Sequence, residues 1–486
     1  MSRTFKLSLA ALTALGALSS ANAMSFLEAL EGTSISNTTF VRYTEKTGLG
    51  SAADRASGSR FQVKSYLNFL TQDFEGYQAG FGLYYNQGSG MPLSASSNSA
   101  HGDLLGSGGS HLGNGGGIAD NLNMFGVSEA FLSKKFDEDG KYSAKVGMMF
   151  LKTPFTDGTM DRAVGASTAF KFGNTTLKAA AYDTWSSMDW SFMQTLGGYT
   201  AADGYTNNAT PNSYGNNSFK NNLFYVGVEK PAVEGNGLDY KLYLSHISRM
   251  VDAAAYLDLG YNASGFRIGA QVAYTQFGKY SGEYGSINNA GLTGNALAYN
   301  GLGGATNVGN HKTDAGLFNN GLAKNAGLYN IQASYASKGS FMLKAGFTGS
   351  FGDSYGALID NQGEFNLGGM VWHNMLIYGG NGASMFGSGG KNGTNLMVGY
   401  AKFVLDATEK LKLGIDVAYV GGANNIHGNE NNFTLSSLSN KNTNFVEITP
   451  SLVYKLNDRF TFTSWYGQTV GDMKLHIARA EVKFAF

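Results

Sequence analysis

The chain closes on Lys474–Phe486, KLHIARAEVKFAF, and the reading of this stretch decides the fold. Counting back from the end, Phe486, Phe484, Val482, Ala480 and Ala478 share one parity, while Lys483, Glu481 and Arg479 occupy the other. A period of two describes a strand with one apolar face and one wet face. A terminal strand with unpaired edges is a template for aggregation, unless it pairs with the first strand and closes a barrel. Phe484 and Phe486 are then read as the assembly signal of that barrel.

Working outward, composition narrows the alternatives. The 486 residues include 68 Gly and no Cys, so a secreted chain of this length must find its stability in something other than disulfides. Residues 1–23 read as a secretory signal: Arg3 and Lys6, an apolar run from Leu7 to Leu18, and Ala21-Asn22-Ala23 with cleavage after Ala23. That run falls short of the roughly 20 residues a spanning helix needs, which argues against a retained anchor. The expected mature domain is residues 24–486, a single unit. The whole chain carries 35 bases and 35 acids, and the leader removes two bases and no acid. A balance so near neutral speaks against a nucleic-acid partner. No later stretch reaches the length of a spanning helix, so the pattern of strands has to decide between a soluble β protein and a membrane barrel.

Alternation recurs along the whole chain. In Phe266–Phe277, Phe266, Ile268, Ala270, Val272 and Tyr274 alternate with Arg267, Gly269, Gln271, Ala273 and Thr275. In Arg60–Phe69 the alternation is broken only at Ser65 and Tyr66. Read this way, the chain holds eighteen strands of about 9 to 13 residues, long enough to cross a bilayer at a tilt. Short connections such as 137–141, 173–175 and 457–459 fall at even positions. Long Gly, Asn and Ser-rich ones such as 86–121, 278–326 and 350–393 fall at odd positions. A sandwich has no reason to sort its loops in this manner, whereas a barrel with short periplasmic turns and long outer loops does. The expectation is an all-β, transmembrane antiparallel β-barrel with an aqueous channel, its long loops mostly flexible and solvated. Pro450, inside a strand, is expected at a bulge.

Parity also assigns the charges. Arg267, Lys344, Lys412, Asp416, Glu447, Arg479, Glu481 and Lys483 lie opposite the oily faces of their strands. A basic residue facing lipid at the midplane costs about 2 to 4 kcal/mol, so these side chains are expected to face the lumen. Their mixed signs imply weak ion selectivity. In the third outer connection, Lys152, Asp157, Asp161 and Arg162 lie close together with Pro154 and Gly158. Opposed charges there would set a transverse field across a constriction; the alternative is a solvated surface loop.

The order of several short motifs resembles the major outer membrane porins of the campylobacter and helicobacter group. The motifs are Leu27-Glu28-Ala29-Leu30, Val41-Arg42-Tyr43, Thr156-Asp157 with Asp161, Val164-Gly165, Gln362-Gly363 and the aromatic end. The resemblance implies an eighteen-stranded trimeric diffusion porin of the Gram-negative outer membrane, passing ions and small hydrophilic solutes and contacting host surfaces through its loops. It also implies an inward-folded third outer loop, with calcium held by carboxylates that fall by position on Asp157 and Asp161. Arg162 stands where the family pattern has Gly, and its guanidinium could pair with Asp161 instead. A surface adhesin or structural barrel is the alternative function.

Enzymatic readings fare worse. The seven His show no metal-ligand spacing. Gly389-Gly390-Lys391 is followed by Asn rather than Ser or Thr and has no strand–helix context for a phosphate loop.

Overall fold

A computed structural model describes residues 30–48, 58–88, 125–159, 161–187, 192–195, 199–200, 222–233, 235–248, 251–277, 323–359, 363–373, 392–424 and 442–486. The segment expected to be a secretory signal, residues 1–23, lies outside the described residues. The strands in chain order are β1 (Ser34–Gly48), β2 (Gly58–Leu70), β3 (Tyr77–Gly88), β4 (Phe125–Lys135), β5 (Tyr142–Phe150), β6 (Arg162–Phe172), β7 (Thr175–Ser187), β8 (Phe192–Thr195), β9 (Tyr199–Thr200) and β10 (Leu223–Lys230). They continue with β11 (Gly237–Ile247), β12 (Val251–Ala263), β13 (Phe266–Phe277), β14 (Asn325–Ser337), β15 (Phe341–Gly352), β16 (Met397–Asp406), β17 (Leu411–Gly421), β18 (Phe445–Lys455), β19 (Phe460–Gly471) and β20 (Leu475–Ala485). Each pairs antiparallel with its neighbour, except that β7 pairs with β10 and the short β8–β9 hairpin stands on the end of β7. Leaving that hairpin aside, eighteen strands form the wall.

The wall closes where the terminal strand predicted it. β1 pairs with β20, Val41 opposite Val482 and Arg42 opposite Glu481. Asn37 and Phe486 exchange backbone hydrogen bonds of 3.0 and 3.2 Å at the end of the seam. On the lumen side, Arg42 Nε and the guanidinium terminus both reach Glu481 Oε2 at 2.7 Å. Closure removes the edges that would otherwise template other chains.

Parity sorts the two faces as expected. Val41, Val63, Leu244, Ile268, Leu343, Ile415 and Val482 are exposed around the outside, a continuous apolar band that only lipid can cover. At the short-turn end the outward aromatics touch one another in runs: Phe136, Tyr142 and Phe170; Phe266, Tyr335, Phe341 and Phe403; Phe460, Phe484 and Phe486. Such a belt marks the membrane–water interface. The turns below it are tight. Ser264 and Gly265 both have positive φ, 50° and 86°, as the two-residue hairpin turn between β12 and β13 requires.

Two expectations need correction. Pro450 sits at no bulge: the β18–β19 register is the same on both sides of it, and the pairing simply lapses opposite Thr449 and Pro450 while Pro450 stays opposite Ile415 on β17. The missing donor is thereby accommodated without shifting the strand. The lumen is also not simply water. Trp185, Tyr243, Tyr256, Tyr355, Leu358, Phe365, Trp372 and Val420 belong to one buried apolar cluster inside the barrel, built from inward strand residues and from loop residues folded between them.

Candidate functional site

The third outer connection turns into the barrel. Leu151 N–H donates to Asp161 O at 2.9 Å, which draws the two ends of the loop together. Inside, Thr156 Oγ1 donates to Leu151 O at 2.6 Å. Asp161 Oδ2 accepts from Asp157 N at 2.9 Å, and Asp157 Oδ1 accepts from both the amide and the hydroxyl of Thr159 at 2.7 and 2.6 Å. The loop is tethered on two sides: Tyr66 Oη on β2 donates to Thr159 O at 3.1 Å, and the buried Phe155 ring meets Tyr256 on β12 edge-on at 6.1 Å. Tyr66 breaks the alternation of β2 because it faces the lumen and holds this loop.

Asp157 and Asp161 were expected to be displayed across a constriction. Instead they are buried, 7% and 0% exposed, and organise the loop's own backbone. Arg162, with Val164 and Gly165, belongs to β6 rather than to the loop. Its buried guanidinium lies 4.1 Å over the ring of Tyr84 and 5.7 Å from that of Phe150. Lys64 is buried nearby, 4.9 Å from the Tyr66 ring. Of the four expected constriction groups, only Lys152 is exposed. Calcium takes about 6 to 8 oxygen ligands. The loop offers two carboxylates, each with an oxygen already accepting N–H, and the described residues hold no group of three metal-ligating side chains.

The larger infolding is one that sequence reasoning passed over as a surface loop. Between β15 and β16, residues 354–359 and 363–373 run through the lumen as a strap. On one wall, Leu358 N donates to Thr275 Oγ1 at 2.7 Å, and Asn366 N donates to Gln271 Oε1 at 2.8 Å. The Asn366 side chain donates to Gln332 Oε1 and Tyr400 Oη at 2.9 and 2.7 Å. On the β18 wall, three successive amides, Met370, Val371 and Trp372, donate to the Glu447 carboxylate at 2.7 to 3.1 Å, and Thr449 Oγ1 adds a fourth donor at 3.0 Å. Gly368 and Gly369, with φ of 81° and 76°, give the turn that aims those amides at one point. Glu447 therefore faces inward as parity implied, but it is fully buried as an anchor. The two infolded loops meet where Glu364 N donates to Pro154 O at 3.2 Å.

A signal for the strap was present in the sequence. Tyr355, Leu358, Ile359, Phe365, Leu367, Met370, Val371 and Trp372 crowd into one stretch of a loop otherwise read as Gly-rich. A solvated loop has no use for such a concentration.

The other lumen charges are mostly paired along the wall. Arg267 reaches Asp239 at 2.9 Å and Asp258 at 3.0 Å, Lys402 reaches Asp416 at 2.9 Å, and Lys412 reaches Asp406 at 2.8 Å. Lys178 pairs with Glu229 at 2.8 Å, and Lys241 with Glu364 of the strap at 2.5 Å. Arg479 lies 5.1 Å over the Trp465 ring and donates to Thr44 Oγ1 at 3.3 Å. Lys483 is exposed near the periplasmic end of β20, and Lys344 faces the lumen from β15.

A closed eighteen-stranded barrel with an apolar belt, a charged lumen and loops folded into it defines an outer-membrane porin. The same architecture recurs in solved outer-membrane proteins. OccAB1 of Acinetobacter baumannii superposes with a TM-score of 0.60 at 10% identity, over 94% of this chain and 97% of that one. OccAB4 of the same organism gives 0.57 at 10%, over 93% and 98%. OprD of Pseudomonas aeruginosa gives 0.52 at 11%, over 94% and 96%. No curated protein sequence matches. The family described as Campylobacter major outer membrane protein matches residues 2–479, and the chain belongs to that family. It is a porin of the Gram-negative outer membrane, a channel rather than an enzyme.

Proposed function

We infer that this porin is a passive diffusion channel for ions and small hydrophilic solutes, open without any bound metal, whose bore is set jointly by the third outer loop and the strap. The observation that carries this reading is the strap itself, bonded to the β13–β14 wall at Asn366 and to the β18 wall at Glu447. Bonded to both walls, it lies across the lumen and narrows it. Much of the path is lined by ion pairs of opposite sign, Arg42 with Glu481, Lys178 with Glu229, Arg267 with Asp239 and Lys402 with Asp416, which favours weak selectivity.

A homotrimer is the assembly this reading adopts. On the outward face of β1 and β2, Asn37 Nδ2 donates to Ser65 Oγ at 3.2 Å and Thr39 Oγ1 lies 2.7 Å from Ser65 Oγ. A polar group on an otherwise apolar wall favours a protein neighbour over lipid at that place.

The test is conductance of the purified protein in a planar bilayer, with calcium supplied and then chelated. Stepwise insertion of open channels in groups of three, unchanged by chelation, is the expected result. A folded barrel that inserts and stays silent would refute the open channel; single steps would refute the trimer; a calcium-dependent current would refute the metal-free pore.

A further inference from the structure

The ladder places Arg267, Ser334, Lys344, Lys402 and Asp416 in one row around the lumen wall, each the cross-strand partner of the next on β13 to β17. Their outward neighbours Ile268, Leu343, Phe403 and Ile415 are exposed to lipid, so the row itself faces in. Neighbouring strands lie about 4.8 Å apart. Lys344 thus has Lys402 directly beside it and Arg267 two strands away, at about 10 Å. Like charges directly opposite each other destabilise an antiparallel pair.

The surrounding carboxylates do not resolve this. Asp416 lies beyond Lys402 and holds it, while Asp239 on β11 and Asp258 on β12 hold Arg267. Among the described residues Lys344 has neither ion pair nor hydrogen bond, and the Ser334 hydroxyl beside it has no partner either. By register the cross-strand neighbours of Lys344 are the Lys402 ammonium and the Ser334 hydroxyl, all three half-buried on the lumen face, with Asp416 and Asp258 acting on it from farther along the row. At the next inward position above the row, Gln332 and Tyr400 hold Asn366 of the strap. A solute that has passed the strap meets these groups next.

We propose that Lys344 and Lys402, with Ser334, form a docking step for the carboxylate of anionic solutes on the periplasmic side of the strap. This deepens the diffusion-channel reading and rests on it. A carboxylate has two oxygens that accept from both ammonium groups and the hydroxyl, in charge-assisted bonds that a neutral sugar does not form. Partial exposure keeps the attraction weak, and weak binding is what lets a solute leave again.

The experiment compares succinate with arabinose as permeants of the full-length protein in liposomes, alongside reversal potentials in planar bilayers. Lys344→Gln with Lys402→Gln is expected to lower the succinate-to-arabinose permeation ratio about threefold, the scale one exposed ion pair supports, with arabinose flux unchanged. Lys344→Arg with Lys402→Arg is expected to keep the ratio. If the double Gln variant fails to fold, Lys344→Gln alone carries the test, since it breaks no bond; its expected shift has the same sign and is smaller. A conducting wild type whose ratio is unmoved by these substitutions would overturn the carboxylate step alone. A wild type that passes neither solute nor ions would overturn the channel reading beneath it.

Discussion

Glu447→Gln should loosen the strap and leave the barrel standing. The Glu447 carboxylate is fully buried and accepts from three backbone amides and one hydroxyl. Gln has nearly the same shape, but one of its two terminal groups is an NH2, which would face N–H donors instead of accepting from them. Two charge-assisted bonds are lost, and each is worth about 1.5 to 3 kcal/mol. Relaxation of the loop recovers part of this, so a net loss of about 3 kcal/mol is a fair figure. That shifts the balance between seated and unseated strap by about a hundredfold, since each 1.4 kcal/mol is a factor of ten. The ladders β17–β18 and β18–β19 do not use the side chain, so the folded barrel should keep its resistance to heat in detergent. Single-channel recording should show larger, noisier currents, and protease added from the outer side should cut within 353–396 faster than in wild type. Traces and cleavage rates that match wild type would refute the view that this carboxylate seats the strap.

Further predictions concern the other tethers. Tyr66→Phe removes the bond to Thr159 O, a loss of about 1 kcal/mol, and should add noise to the open current without altering thermal stability by more than a few degrees. Asp157→Ala removes both acceptor contacts to Thr159, about 1 to 2 kcal/mol. Because that carboxylate is buried, the current should become noisier while the reversal potential in a salt gradient hardly moves. Gly369→Ala places a Cβ 2.8 Å from Trp372 Cδ1 at a φ of 76°; it should mimic Glu447→Gln in conductance, and wild-type traces would refute the need for that turn. Exchanging the seam charges, Arg42→Glu with Glu481→Arg, should restore stability lost by either single change. The pair is mostly shielded yet still water-facing, so the coupling in detergent melts should be about 1 kcal/mol or less.

The wall was legible in the sequence because membrane and water impose opposite demands on alternate residues, and the demand is local. Phe266 to Phe277 could be oriented from its own letters. The closing pair β1–β20 followed from a terminal strand that had to find a partner. The strap was not legible in the same way, because its stability comes from residues far apart in the chain: Gln271 and Thr275 on β13, Gln332 on β14, Tyr400 on β16 and Glu447 on β18. Periodicity carries no trace of such convergence. Glu447 shows the difference well, since parity pointed it inward correctly and then mistook an anchor for a pore charge. Asp157 and Asp161, buried and bonded within their own loop, show a related limit. Short Asp and Thr side chains in a Pro and Gly-rich turn serve the local backbone as readily as they serve an ion, and sequence spacing does not separate the two uses.

Pairing also decides which lumen charges matter to a passing ion. Arg42 with Glu481, Lys178 with Glu229, Lys402 with Asp416 and Lys412 with Asp406 are contacts of 2.7 to 2.9 Å. Seen from mid-lumen each is a small dipole, and at physiological salt the screening length is about 8 Å, so its field fades before it crosses the bore. Counting bases against acids therefore says little about selectivity. What remains is the charge left over where the wall offers a cation no opposite partner, and on the described wall of β13 to β17 that charge is Lys344. If selectivity follows the unpaired group rather than the total, Lys344→Gln should move the reversal potential more than Lys412→Gln does, although both remove one positive charge from the same lumen. Equal shifts from the two variants would mean that total lumen charge governs selectivity after all.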